Sequence, residues 1–173
     1  MHFQTRILVL TGLFILGFIT AILFGTKKEK LKVGSQMPEL KYYSINDSGY
    51  IRIKNKPLMI MYFKSDCPHC EYELEIFNKM SEKFNDIDVI CITTEHKFIA
   101  NRSYNKWNNL ATEKNFVFAS VNEEEYRERF GIKITPLFLF YGMDGKLKAK
   151  IIGETRFDRI LDSIVKAGVA QHR

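Results

Sequence analysis

Cysteine is scarce in this chain, with three in 173 residues. That is too few for a disulfide-stapled scaffold, but enough for one working pair and a spare. The sequence has no internal repeat, no low-complexity tract and no fingerprint of a nucleic-acid-binding module. It also has no glycine-rich phosphate loop, no Ser/His/Asp pattern and no peroxidase-type lone cysteine. Nucleotide-driven and serine-hydrolase chemistries are therefore set aside. The formal net charge is +6, but 26 Lys and Arg residues are scattered among 20 Asp and Glu residues. Interspersed charge of this kind is a solvated surface rather than a nucleic-acid footprint. The length suits one domain with its own core plus an appendage.

What is present is one concentrated motif, Cys67-Pro68-His69-Cys70, at the end of the apolar run Pro57-Leu58-Met59-Ile60-Met61-Tyr62-Phe63. A helical pattern follows it. A strand that delivers a cysteine to the first turn of a helix favours a thiolate there. Unpaired N–H groups and the positive end of the helix dipole stabilise the anion. Proline at the first helical position is pre-set for the helix and wastes no donor. The second thiol lies one turn on, within reach for a disulfide. The third cysteine, Cys91, lies in Val89-Ile90-Cys91-Ile92 and reads as an inert core residue.

Residues 7–25 carry no charge and are largely Leu, Ile, Phe and Val. At about 1.5 Å per residue they just span a bilayer core of roughly 30 Å. A cleaved signal peptide is the competing reading. It calls for a shorter apolar core and a small-x-small cleavage site, which Thr20, Ala21 and Gly25 match poorly. No cysteine follows the segment, so there is no lipid attachment point. The expected organisation is a membrane anchor over residues 1–26, a tether over 27–37 and a domain over 38–173. Lys27, Lys28, Lys30 and Lys32 follow the segment and only Arg6 precedes it. A strict positive-inside count would keep the domain in the cytoplasm, yet large domains translocate with little regard to charge. A tethered dithiol also belongs where disulfides persist. The outer face of the membrane is therefore expected.

Strand signals fall at residues 42–45 and 50–53, around Asn46-Asp47-Ser48-Gly49. Residues 58–64 read as a continuous apolar strand from the middle of a sheet. Residues 68–84 read as a helix with Cys70, Leu74, Phe77, Met80 and Phe84 on its buried face. Strands at 88–93 and 116–121 follow, with helices at 101–114 and 123–130. A hairpin over 137–141 and 146–152 turns at Asp144-Gly145. Alternating Lys146, Lys148 and Lys150 mark a wet face that guards an edge. A final amphipathic helix covers 157–167. Such an order predicts an α/β sheet with helices on both faces.

Residues 33–167 resemble the thioredoxin superfamily, and within it the membrane-anchored TlpA/ResA-type thiol–disulfide oxidoreductases. The residues that carry the resemblance are Val33-Gly34-Ser35-Gln36-Met37-Pro38, Ser65-Asp66-Cys67-Pro68-His69-Cys70, Glu73, Gly131-Ile132-Lys133-Ile134-Thr135-Pro136 and Asp144-Gly145-Lys146. The resemblance implies a thioredoxin-like fold: a central mixed β-sheet flanked by helices, here with one N-terminal transmembrane helix. It also implies a cis Pro136 facing the dithiol, with the Thr135 backbone available to pair with a substrate chain. An X-Pro bond before a core strand is one of the few places a cis peptide is tolerable. Three departures stand out. Asp66 replaces the usual aromatic residue, and Met61 replaces the buried acid of thioredoxins. The dipeptide Pro68-His69 is the one found in oxidising DsbA proteins, although the chain has no room for their helical insertion.

These features predict Cys67 as the exposed nucleophile and Cys70 as the buried resolving thiol. His69 is placed to stabilise the thiolate as a cation or N–H donor, unless it is a plain exposed helix residue. Glu73 either moves protons to and from Cys70 or is one more surface acid beside Glu71 and Glu75. The site needs no cofactor beyond its own redox-active Cys67–Cys70 pair and no metal. Its partners are protein thiols and disulfides and a membrane-embedded redox protein. Two other classes stay open. One is a copper- or zinc-handling protein, for which a second ligand pair is missing because His96 lies elsewhere. The other is a thioredoxin-like binding module whose dithiol is incidental.

Overall fold

The computed structural model describes residues 31–169. The expected anchor over 1–26 lies outside them. Among the described residues no helix is long and apolar enough to cross a membrane.

Seven strands form one mixed sheet: β1 (Lys41–Tyr43), β2 (Ser48–Tyr50), β3 (Leu58–Tyr62), β4 (Asp88–Thr93), β5 (Phe116–Val121), β6 (Leu137–Tyr141) and β7 (Leu147–Ile152). Their spatial order is β2-β1-β5-β4-β3-β6-β7. β3, β4 and β5 run parallel, while β6 pairs antiparallel with both β3 and β7. β3 and β6 are buried at every residue, which explains why their sequences are apolar throughout rather than alternating.

Alternate side chains of β3 enter two separate cores. Met59, Met61 and, just past the strand, Phe63 face helix α1 (Pro68–Lys79) together with α2 (His96–Ala100), α3 (Asn108–Thr112) and α5 (Phe157–Lys166). Leu58, Ile60 and Tyr62 face α4 (Glu123–Arg129), whose Tyr126 stacks on Tyr62 at 4.0 Å. The two-faced α/β arrangement expected from the element order is thus present.

Three elements depart from expectation. The helix expected over 68–84 ends at Lys79 and continues as a 3-10 turn, Ser81–Phe84. The Met80 N–H is shared between the Ile76 and Phe77 carbonyls. The tighter turn seats Phe84 edge-on against Phe116, 5.3 Å away, while Phe77 stays beside it at 4.8 Å. The helix expected over 101–114 is instead a 3-10 turn, Ser103–Lys106, and the short α3, and an unexpected helix, α2, precedes them. Arg102 adopts a left-handed φ of 53° at the first break. The first N–H groups of α3 are satisfied from outside, because Asn109 and Leu110 donate to the Asn78 carboxamide of α1. Tyr104 and Trp107 both lie flat against Phe118. Tertiary contacts here outweigh the helical spacing. The third departure is in the first hairpin, which is tighter than expected. Asp47 accepts from Ser44 and Ser48, so Lys41 pairs with Tyr50.

Residues 31–37 pack on the domain. Leu31 is buried, and the Lys150 ammonium donates to its carbonyl. Gly34 and Met37 donate to the Leu147 and Gly145 carbonyls, and Leu147 donates back to Ser35. Gln36 forms a bridge with Lys146. The edge expected to be guarded by lysines is therefore covered by backbone.

Phe77 is fully buried and touches Phe84, Phe138 and Phe157. Phe77→Ala should lower unfolding stability by about 3–5 kcal/mol. Val117→Ala, on an exposed residue, should cost under about 0.5 kcal/mol in the same urea titrations.

Candidate functional site

The site forms where β3 ends and α1 begins. Phe63, immediately after β3, is fully buried and hydrogen-bonded to the Ile92 carbonyl. The chain then turns outward through Lys64, Ser65 and Asp66, all exposed. Ser65 N–H is held by the Glu95 carboxylate. Cys67 is the N-cap of α1, with extended backbone, and Pro68 occupies the first turn. The Cys67 sulfur takes the place of the usual capping oxygen and accepts the Cys70 N–H at 3.3 Å.

Cys67 is partly exposed and Cys70 is buried, both as free thiols. Their sulfurs lie 2.6 Å apart, with the Cys70 thiol donating to Cys67. Burial pushes Cys67 up, but hydrogen bonds from the Cys70 thiol, the Thr135 side chain and the Cys70 and His69 N–H groups outweigh it. The net effect holds the thiol below its ordinary range. Cys70 is pushed up to about 12, chiefly by burial and then by its bond to Cys67. Cys91 lies inside β4, and burial alone pushes it up. Three cysteines with one reference chemistry are thus separated by environment.

The Thr135–Pro136 bond is cis, as the resemblance implied. The Thr135 carbonyl lies 3.8 Å from the Cys67 sulfur, which donates to it. Ile134, just before it, is exposed. The Gly131–Thr135 loop thus presents backbone beside the dithiol.

Glu73 is fully buried one turn beyond Cys70. It is not the surface acid that its neighbours Glu71 and Glu75 are. One carboxylate oxygen accepts the Thr155 N–H at 2.8 Å, and the other has no hydrogen-bond partner. An orphaned carboxylate oxygen in a core is costly. Burial therefore raises the carboxyl above its usual range. The Thr155 N–H opposes that rise and the nearby Glu154 charge adds to it. His69 is exposed, and its Nδ1 meets the Glu154 carboxylate. His96 is not part of this cluster and pairs instead with the Ser120 hydroxyl at 2.7 Å.

Cys67, Pro68, His69, Cys70, Glu73, Thr135 and Pro136 therefore gather at one end of the sheet. Sequence reasoning missed Glu154 and Thr155, which follow β7. The signal for them was the hairpin register: Leu137 pairs with Ile152, so the residues after Ile152 must emerge beside Pro136.

A family model described as the thioredoxin-like domain matches residues 47–168. No curated protein matches the chain. Solved structures similar to it include a thio-disulfide isomerase from Thermus thermophilus. It has 20% identity and a TM-score of 0.63, over 82% of this chain and 100% of that one. A peroxiredoxin-like protein from Aquifex aeolicus has 19% identity and a TM-score of 0.66, over 79% and 88%. StoA from Bacillus subtilis has 13% identity and a TM-score of 0.56, over 73% and 96%. At such identities the likeness is one of fold.

The raised Glu73 carboxyl gives a prediction with a definite sign. Its folded pKa exceeds its unfolded one, so the stability it allows is full below about pH 4 and is lost as pH rises through the folded pKa. Glu73→Gln removes that loss. At pH 7 the variant should unfold at higher urea concentration than wild type, and the two should converge below about pH 4.

Proposed function

The chain belongs to the thioredoxin-like family, and from that premise we propose that it is a membrane-anchored thiol–disulfide oxidoreductase. Its domain works on the extracytoplasmic side of the cell membrane and exchanges disulfides with protein substrates. The observation that carries this reading is the asymmetric dithiol. Cys67 is partly exposed, held below the thiol range and 2.6 Å from a buried Cys70 pushed far up.

In the reducing direction, the Cys67 thiolate attacks a substrate disulfide. One sulfur–sulfur bond forms, the substrate bond breaks, and one substrate sulfur leaves as a thiolate. Cys70 then loses its proton and attacks Cys67 in the mixed disulfide, releasing the second substrate thiolate. Two electrons pass to the substrate, and the Cys67–Cys70 disulfide remains. The same steps run backwards when the protein oxidises a dithiol. The elevated Cys70 needs a base for its step. Glu73 supplies it, one turn away on α1 with an unpartnered oxygen. Thr135 offers its backbone beside the nucleophile, where an extended substrate segment can pair. A membrane-embedded redox protein resets the dithiol. Pro68-His69 sets a poise between those of thioredoxin, about −270 mV, and DsbA, about −120 mV.

Cys70→Ser leaves the mixed disulfide unresolved. The variant should accumulate partner proteins that separate from it on reducing gels only, while Cys67→Ser and Cys91→Ser should trap none. Trapping by Cys67→Ser, or none by Cys70→Ser, would overturn the roles. The orientation has its own readout. Protease added to intact spheroplasts should digest the domain, and full protection would place it in the cytoplasm.

A further inference from the structure

The loop after β7 reaches the site with three consecutive residues. Gly153, at φ 83°, donates its N–H to the Pro136 carbonyl at 2.8 Å. Thr155 donates to Glu73 at 2.8 Å. Between them, the Glu154 carboxylate meets Nδ1 of His69. Backbone bonds on both sides of residue 154 tie the loop to the cis-proline segment and to α1. Glu154 is thus presented to the imidazole by pinned backbone, unlike an ordinary surface acid. Two cations that could compete for Glu154 are engaged elsewhere. Arg156 pairs with Asp158 at 2.6 Å, and Lys106 pairs with Glu71 at 2.5 Å. Along its own segment His69 has Lys64, Asp66, Cys67, Cys70, Glu71, Tyr72 and Glu73 as titratable neighbours. The loop after β7 contributes Glu154 and Arg156, and the cis-proline loop contributes Lys133.

Resting on the redox reading above, we propose that Glu154 is a positioning residue for His69. It fixes the imidazole through Nδ1 and offsets the positive charge of the ring whenever it is protonated, which holds the dithiol at a more reducing poise than Cys-Pro-His-Cys sets alone. An unpaired imidazolium beside Cys67 stabilises the thiolate, hence the reduced form, and makes the pair a stronger oxidant. Paired with a carboxylate, the imidazolium presents almost no net charge to the sulfur. This explains how an oxidant-type dipeptide fits the present scaffold: its cation is met by an acid from the loop after the last strand. The side chains are 66% and 45% exposed, so the pair has the modest strength of surface ion pairs and is screened by salt.

The test equilibrates four full-length proteins with glutathione buffers at low ionic strength: wild type, Glu154→Gln, His69→Ala and the double variant. Glu154→Gln should shift the equilibrium about two- to five-fold towards reduced protein, or about 10–20 mV upward at 29.6 mV per tenfold. The shift should shrink in 1 M salt. In the His69→Ala background the same substitution should change the equilibrium by less than half as much. No shift, a shift of opposite sign, or an equal shift with and without His69 would each overturn the assignment while leaving the redox reading intact. Failure of the wild type to exchange with glutathione would overturn both.

Discussion

The site depends on one hydrogen bond, from the Cys70 N–H to the Cys67 sulfur at 3.3 Å. At most helix starts that donor goes to a serine, threonine or aspartate oxygen. Here the cap is the reactive atom itself, so the geometry that begins the helix also stabilises the anion. The bond exists only because β3 is buried along its whole length and releases the chain at a fixed point. It also depends on Pro68 entering the first turn and on Phe77 and Leu74 holding α1 against the sheet. Disturbing any of these moves the sulfur before it touches the chemistry.

Burial then divides the work between two identical thiols. Cys70 and Cys67 are three residues apart, yet one is pushed up to about 12 and the other is held below its ordinary range. Each pKa unit corresponds to about 1.4 kcal/mol of preference between protonation states. The partly exposed sulfur is therefore the one that gives up its proton more readily, and the buried one holds its proton more tightly. Glu73, one turn beyond Cys70, is buried at a cost in stability, since its second oxygen has no partner among the described residues. Polar burial left incomplete in this way is characteristic of sites that do chemistry.

Much of this was legible in the sequence because its signals are local. The unbroken apolar runs of β3, β4 and β6 reported a buried sheet, and the Cys-x-x-Cys at the end of one of them reported the reactive turn. Thr135-Pro136 was legible from the resemblance. The break between α2 and α3 was not, because what shapes it comes from other parts of the chain: the Asn78 side chain, which accepts the first N–H groups of α3, and the ring of Phe118. Local spacing at Tyr104, Trp107 and Leu110 still reads as helical. Glu73 was seen as one of two possibilities, since periodicity places it at the margin of a face and cannot say whether the loop after β7 will cover it. That loop was invisible for the same reason. Its residues carry no pattern of their own and reach the dithiol only through the β6–β7 pairing.

The central claim is that Cys67 is a stabilised thiolate while the other two cysteines are not. The most direct measurement is the rate of alkylation of each cysteine by iodoacetamide in the reduced protein, followed across pH. Cys67 should react with a midpoint below the ordinary thiol value of about 8.5, and Cys70 and Cys91 should stay nearly unlabelled to pH 9. A Cys67 midpoint at or above 8.5, or faster labelling of Cys70 or Cys91, would contradict the account.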